Sequence, residues 1–144
     1  TVRRWRGIVF VNDSIATSPE RSIAAIRSYE EPLVLLAGGR DKHLPWDEWA
    51  DLVLERIRAV VAFGEAAPIV ERALAEARSR RSGAGQGETT LRSVGSFDQA
   101  VEEAASLARP GDVVLLAPGG TSFDAFRDFE ARGERFRTLV RALS

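Results

Sequence analysis

Hydrophobic residues follow two alternating rhythms along this chain. Short β-branched or aliphatic runs at Gly7–Val11, Leu33–Ala37, Ala59–Phe63, Thr89–Val94 and Asp112–Leu116 are mostly continuous, as strands buried on both faces are. Between them apolar residues recur at helical spacing: Ile23 and Ile26; Trp46, Trp49, Ala50, Val53, Leu54 and Ile57; Ile69, Val70, Ala73, Leu74 and Ala77; Phe97, Ala100, Val101, Ala104, Ala105 and Ala108. Helix punctuation agrees with this reading. Ser18-Pro19 offers an N-cap followed by Pro at the first helical position, and Ser96-Phe97-Asp98-Gln99 fits a capping box. Gly133 after Arg132 reads as the end of one helix, before a last one carrying Phe136, Leu139, Val140 and Leu143.

Strand and helix alternating with short connections predict a Rossmann-like three-layer α/β/α domain with a mostly parallel sheet, a single domain over residues 1–144. Val2–Trp5 is a candidate short antiparallel strand against Gly7–Val11, with Arg6-Gly7 as the turn. Ser79–Glu88, rich in Gly and Ser, reads as a flexible connection from a helix to a strand.

Composition narrows the function classes. With 20 basic and 21 acidic residues the net charge is -1, which gives no electrostatic footprint for nucleic acid or an anionic membrane. Cys is absent and His43 is the single His, so thiolate or His-based metal sites and a Cys nucleophile are not expected. No apolar run approaches the roughly 20 residues of a membrane span, and a cytosolic protein is the simplest reading. Thr1 in place of Met sets the expectation that the chain begins inside a longer protein.

In an open parallel sheet, ligands bind beyond the carboxyl ends of the strands. Three polar or Gly-rich segments have that address: Asn12–Ser18, Gly38–His43 and Pro118–Ser122. In the first, either Thr17 and the free backbone amides hold an anionic group, or Thr17 or Ser18 only caps the helix and Asp13 closes an Asx turn. In the second, Gly38-Gly39 permits a tight backbone path and Lys42 is either a carboxylate ligand or simply solvated. In the third, Thr121 or Ser122 is read as capping a helix that runs through Phe123, Phe126 and Phe129, with Ser122 the better ligand candidate. Those three rings are either core or a binding wall. There is no Gly-x-x-x-x-Gly-Lys-Ser/Thr cradle and no Gly-x-Ser-x-Gly elbow. Gly83-Ala84-Gly85-Gln86-Gly87 follows a helix end and precedes a strand, the reverse of a dinucleotide fingerprint's context.

Taken in order, Asn12-Asp13-Ser14-Ile15-Ala16-Thr17, Gly38-Gly39-Arg40-Asp41-Lys42, Pro118-Gly119-Gly120-Thr121-Ser122-Phe123-Asp124 and Phe129-Glu130-Ala131-Arg132-Gly133 resemble the C-terminal domain of Mur-type peptidoglycan ligases, the UDP-N-acetylmuramoyl-alanine glutamate ligases in particular. The resemblance implies an ATP-dependent amide ligase of the bacterial cytoplasm that adds glutamate to UDP-N-acetylmuramoyl-L-alanine through an acyl phosphate. It implies N-terminal and central domains as partners in the same polypeptide, with ATP and Mg2+ bound mainly by the central domain. Carried over by position, Thr17, Lys42, Ser122 and the Phe123 backbone are similar to residues that hold the glutamate carboxylates. Phe129 matches a residue packing against glutamate, and Asp13 one that contacts the ATP ribose. No catalytic residue and no metal ligand is assigned to this chain. One departure stands out: Ile15 occupies the position where the most familiar relatives have Lys, which leaves L-glutamate as an alternative to D-glutamate. The competing reading is a non-catalytic Rossmann-like binding or regulatory module.

Overall fold

A computed structural model describes residues 1–41, 43–80, 89–122 and 125–144. Six strands form one sheet: β1 (Arg3–Trp5), β2 (Ile8–Asn12), β3 (Leu33–Gly38), β4 (Ile57–Phe63), β5 (Thr90–Ser93) and β6 (Val113–Gly119). Five helices accompany them: α1 (Pro19–Arg27), α2 (Asp47–Arg56), α3 (Ala67–Arg80), α4 (Phe97–Leu107) and α5 (Phe129–Arg141). The spatial order is β1-β2-β6-β3-β4-β5, and every pairing is parallel except β1 with β2. The N-terminal hairpin turns through Arg6 and Gly7, both at positive φ (52° and 79°), the primed geometry that matches strand twist.

Alternation along the central strands divides the core. Leu33, Leu35 and Ala37 pack with α1, α2 and α3 on one face, while Val34 and Leu36 pack with α4 and α5 on the other. Both faces are covered, which accounts for the continuous apolar runs and gives the three-layer α/β/α architecture. The caps are as read: Ser18 accepts the Arg21 N–H with Pro19 at N1, and Ser96 with Gln99 forms a reciprocal capping box.

Three local expectations are corrected. Ile57 belongs to β4 and not to the preceding helix. No described residue between Ser122 and Asp128 is helical; the chain turns on the Ser122 carbonyl, which accepts the N–H groups of Ala125 (3.1 Å) and Phe126 (2.8 Å). Helix α5 starts at Phe129, with the Asp128 side chain as cap, and runs through Gly133. Gly133 is small for packing: a Cβ there would sit 2.8 Å from Asn12 Nδ2. Residues 81–88, with the Gly83–Gly87 stretch, lie outside the described residues.

Candidate functional site

The last strand, β6, is inserted between β2 and β3. Their carboxyl ends are therefore neighbours, and the three segments singled out in the sequence emerge side by side. Backbone hydrogen bonds stitch them together. Asp13 N–H donates to Leu116 O (2.8 Å), Gly119 N–H to Ala16 O (2.8 Å), and Arg40 and Thr121 exchange N–H···O bonds of 2.8 Å each. The last pair is an antiparallel bridge between the second and third loops. On the far side of the second loop, Arg40 makes a bidentate contact to Glu65 (3.0 and 3.2 Å), just beyond β4.

Within the first loop the Asx turn belongs to Asn12, whose Oδ1 accepts the Ser14 N–H at 3.0 Å. Asp13 does not close it, which corrects that reading and leaves its carboxylate outside the turn. Ser18, not Thr17, caps α1, so the Thr17 hydroxyl is not spent on the helix. Asp13 and Phe129 both line a recess of about 370 Å³, together with Ile15, Glu130, Glu134 and Arg137. Half-burial pushes the Asp13 carboxyl above its ordinary 3.8, because ionising it there sacrifices hydration. Ile15 is exposed beside it (50%).

Phe126 and Phe129 divide the two roles left open for the rings. Phe126 packs edge-on against Phe97 at 5.4 Å, joining the core on the α4 side, while Phe129 lines the recess. In the third loop Ser122 is buried (1% exposed) and its Oγ has no hydrogen-bond partner among the described residues. Lys42 and Phe123 lie outside the described residues.

The residue that sequence reasoning passes over is Arg132. It is fully buried, and it donates from Nε to Ser14 Oγ (2.9 Å) and from Nη2 to the carbonyls of Ser14 (2.9 Å) and Gly120 (3.1 Å). Ser14 Oγ in turn donates to Phe129 O at 2.7 Å. One guanidinium thus ties the first loop, the third loop and the start of α5 into a single unit. A Cβ on Gly39 would come within 2.8 Å of the same guanidinium, so the second loop packs against it too.

Among the described residues, no three His, Cys, Asp or Glu side chains gather as a metal site, and no helix is long and apolar enough to cross a membrane. The arrangement is an open rim with hydroxyl and amide donors, beside a recess lined by Phe129, the carboxylates of Asp13, Glu130 and Glu134 and the guanidinium of Arg137.

Comparison with known proteins shows the family of the chain. Residues 1–120 match the family model described as Mur ligase, glutamate ligase domain. A UDP-N-acetylmuramoylalanine--D-glutamate ligase from Symbiobacterium thermophilum is 44% identical over 144 residues, which is 99% of this chain and 30% of that protein. The enzyme of the same name from Acetivibrio thermocellus is 39% identical over 142 residues, again 99% and 30%. The chain therefore spans about 30% of the length of these relatives. Among solved structures, a domain from a protein described as a UDP-N-acetylmuramate:L-alanyl-gamma-D-glutamyl-medo-diaminopimelate ligase of Haemophilus ducreyi superposes with a TM-score of 0.55. It covers 92% of this chain and 91% of that one at 17% identity, a likeness of fold.

Proposed function

This chain belongs to the Mur ligase family, as its glutamate ligase domain, and from that premise we propose that it is the amino-acid-binding, closing domain of an ATP-dependent ligase that adds glutamate to UDP-N-acetylmuramoyl-L-alanine in the bacterial cytoplasm. The observation that carries this reading is the buried Ser122 Oγ at the carboxyl rim, which has no hydrogen-bond partner among the described residues. Leaving such a hydroxyl unsatisfied costs about 1–3 kcal/mol, and a substrate carboxylate laid across the rim relieves it. Thr17 and the Phe123 backbone add donors, Lys42 adds the cation a dicarboxylate requires, and Phe129 packs along the aliphatic part.

The site is also suited to one end of a nucleotide. Asp13 sits at the mouth of the recess, where its carboxylate accepts hydrogen bonds from a ribose diol. ATP with its magnesium supplies the phosphoryl group that activates the muramoyl-alanine carboxylate as an acyl phosphate. In this reading magnesium and the phosphate cradle belong to the rest of the polypeptide. The task of this chain is orientation. It holds both glutamate carboxylates so that the amine faces the acyl carbon; the C–N bond forms, the bond to phosphate breaks, and the amine gives up a proton. Positioning of this kind converts an encounter into a near-intramolecular step.

D-glutamate is the enantiomer favoured here, in keeping with the relatives' names, and L-glutamate is the alternative raised by Ile15. Steady-state assays of the full-length enzyme with each enantiomer decide between them. Turnover of neither would remove the ligase reading and leave a non-catalytic binding module. Lys42→Ala in the same enzyme is expected to cost about 2–5 kcal/mol of transition-state stabilisation, as loss of a buried charge partner does. Unchanged glutamate KM and kcat would take Lys42 out of the site.

A further inference from the structure

Trp46 precedes α2 and is almost fully buried (4% exposed), although it caps nothing: as N-cap of α2 it makes no side-chain capping bond. Its indole does something else. Nε1–H donates to Asp41 Oδ1 at 3.0 Å, which ties the second loop to the residue that opens α2. His43, between these two residues in sequence, is left-handed at φ 60°, a conformation uncommon for a side-chain-bearing residue and held only where its surroundings fix it. The ring's far edge presses on the third loop: a Cβ on Gly119 would fall 2.7 Å from Trp46 Cη2 and 2.9 Å from Cζ3. Only Gly permits that approach, and Gly119 itself has φ 76°.

Beneath Trp46 the contacts continue without a gap. Trp49 meets it edge-to-face at 4.9 Å and 90°. Trp49 Nε1–H donates to Ser22 Oγ (2.9 Å), and Ser22 Oγ donates to Ala117 O (2.7 Å). The indole is therefore braced by α1 and the end of β6 while it grips the second loop by hydrogen bond and the third by packing. We propose that Trp46 is a positioning residue for glutamate: the Trp46–Asp41 hydrogen bond and the Trp46–Gly119 contact fix the spacing between the loop that carries Lys42 and the loop that carries Ser122. The inference rests on the functional reading above, in which both loops hold the carboxylates of one glutamate. Trp46 touches no substrate; it sets the distance across which the substrate is held.

The test uses the full-length enzyme and four variants. Trp46→Phe keeps a ring against Gly119 but loses the N–H, Asp41→Ala loses the acceptor, Asp41→Asn keeps an oxygen acceptor, and the double variant Trp46→Phe/Asp41→Ala removes both partners. Expected is a rise in glutamate KM of about five- to tenfold for Trp46→Phe and for Asp41→Ala. The ATP KM should stay put, because neither the Trp46–Asp41 bond nor the Trp46–Gly119 contact touches Asp13. Asp41→Asn should return the glutamate KM to near the starting value, and the double variant should be no worse than either single, since all remove one bond. Asp41→Ala changes only a half-buried loop side chain, so the result does not depend on Trp46→Phe folding well. Glutamate KM unchanged in Asp41→Ala and Trp46→Phe, or ATP KM rising by the same factor, would overturn the latch and leave Trp46 a packing residue. If the unsubstituted enzyme shows no saturable dependence on either glutamate enantiomer, the functional reading itself fails and takes the latch's purpose with it. That failure is read in the parent enzyme before any variant is compared.

Discussion

Asp13 stands half-buried at the mouth of the recess beside α5, and its carboxyl is pushed above 3.8 by that burial. Its neighbour Asn12 takes the local turn, accepting the Ser14 N–H. Below pH 3.8 Asp13 is protonated folded and unfolded alike. As pH rises through its raised native value, the folded state must ionise a poorly hydrated group that the unfolded chain ionises freely, so stability contributed by the neutral form is lost. Asp13→Asn is accordingly expected to raise the thermal midpoint of the chain at pH 7, by an amount that shrinks as pH falls toward 3.8. Melting curves across that range check it, and a gap that widens on acidification would contradict it. The same substitution should weaken ATP binding in the full-length enzyme, which would show the strain to be retained for a ligand. Asp13, Thr17 and Ser122 can be nominated from the sequence because each sits in a loop beyond a strand. Arg132 was not. Among Glu130, Glu134, Arg135 and Arg137 it has the look of a solvated helix face. Its burial is set by Ser14, 118 positions earlier, and by the Gly120 carbonyl, contacts that no local pattern encodes.

At the level of elements, what was legible is what short-range chemistry decides. The cap at Ser18 and the capping box at Ser96 involve partners three residues apart, and both read directly. The misread elements turn on distant partners. Gly133 carries the usual mark of a helix end, yet α5 continues through it because the helix lies against the Asn12 side chain. Two effects oppose one another at this position. Replacing Gly by Ala inside a helix stabilises it by about 1 kcal/mol. Here the added Cβ would meet Nδ2 at 2.8 Å and Oδ1 at 3.2 Å of an Asn12 already engaged with Ser14, and forcing a methyl into a packed site costs about 1–3 kcal/mol. The clash wins, so Gly133→Ala should lower stability by about 1 kcal/mol in urea unfolding. In an Asn12→Ala background the same substitution should become neutral or stabilising, because the obstructing amide is gone while the propensity gain remains.

At the scale of the whole molecule, the alternation of strands and helices was enough for a three-layer α/β fold, since both faces of the sheet must be covered. It was not enough to place β6 between β2 and β3, because strand neighbours distant in sequence leave no trace in periodicity. Yet that insertion makes three loops one rim, and it shapes what the chain does alone. The rim is open: donors and an aromatic wall line one side, and nothing in the described fold supplies a phosphate cradle or a second wall. A site completed by closure of another domain pays for ordering only when that domain is present. The 144-residue chain should therefore fold on its own core, bind glutamate more weakly than the full-length enzyme, and form no amide with UDP-N-acetylmuramoyl-L-alanine and ATP. Calorimetric titration with glutamate and a phosphate-release assay check the two halves separately. Phosphate release by the isolated chain would mean that its own loops handle ATP phosphates, and the division of labour between this domain and the rest of the enzyme would have to be redrawn.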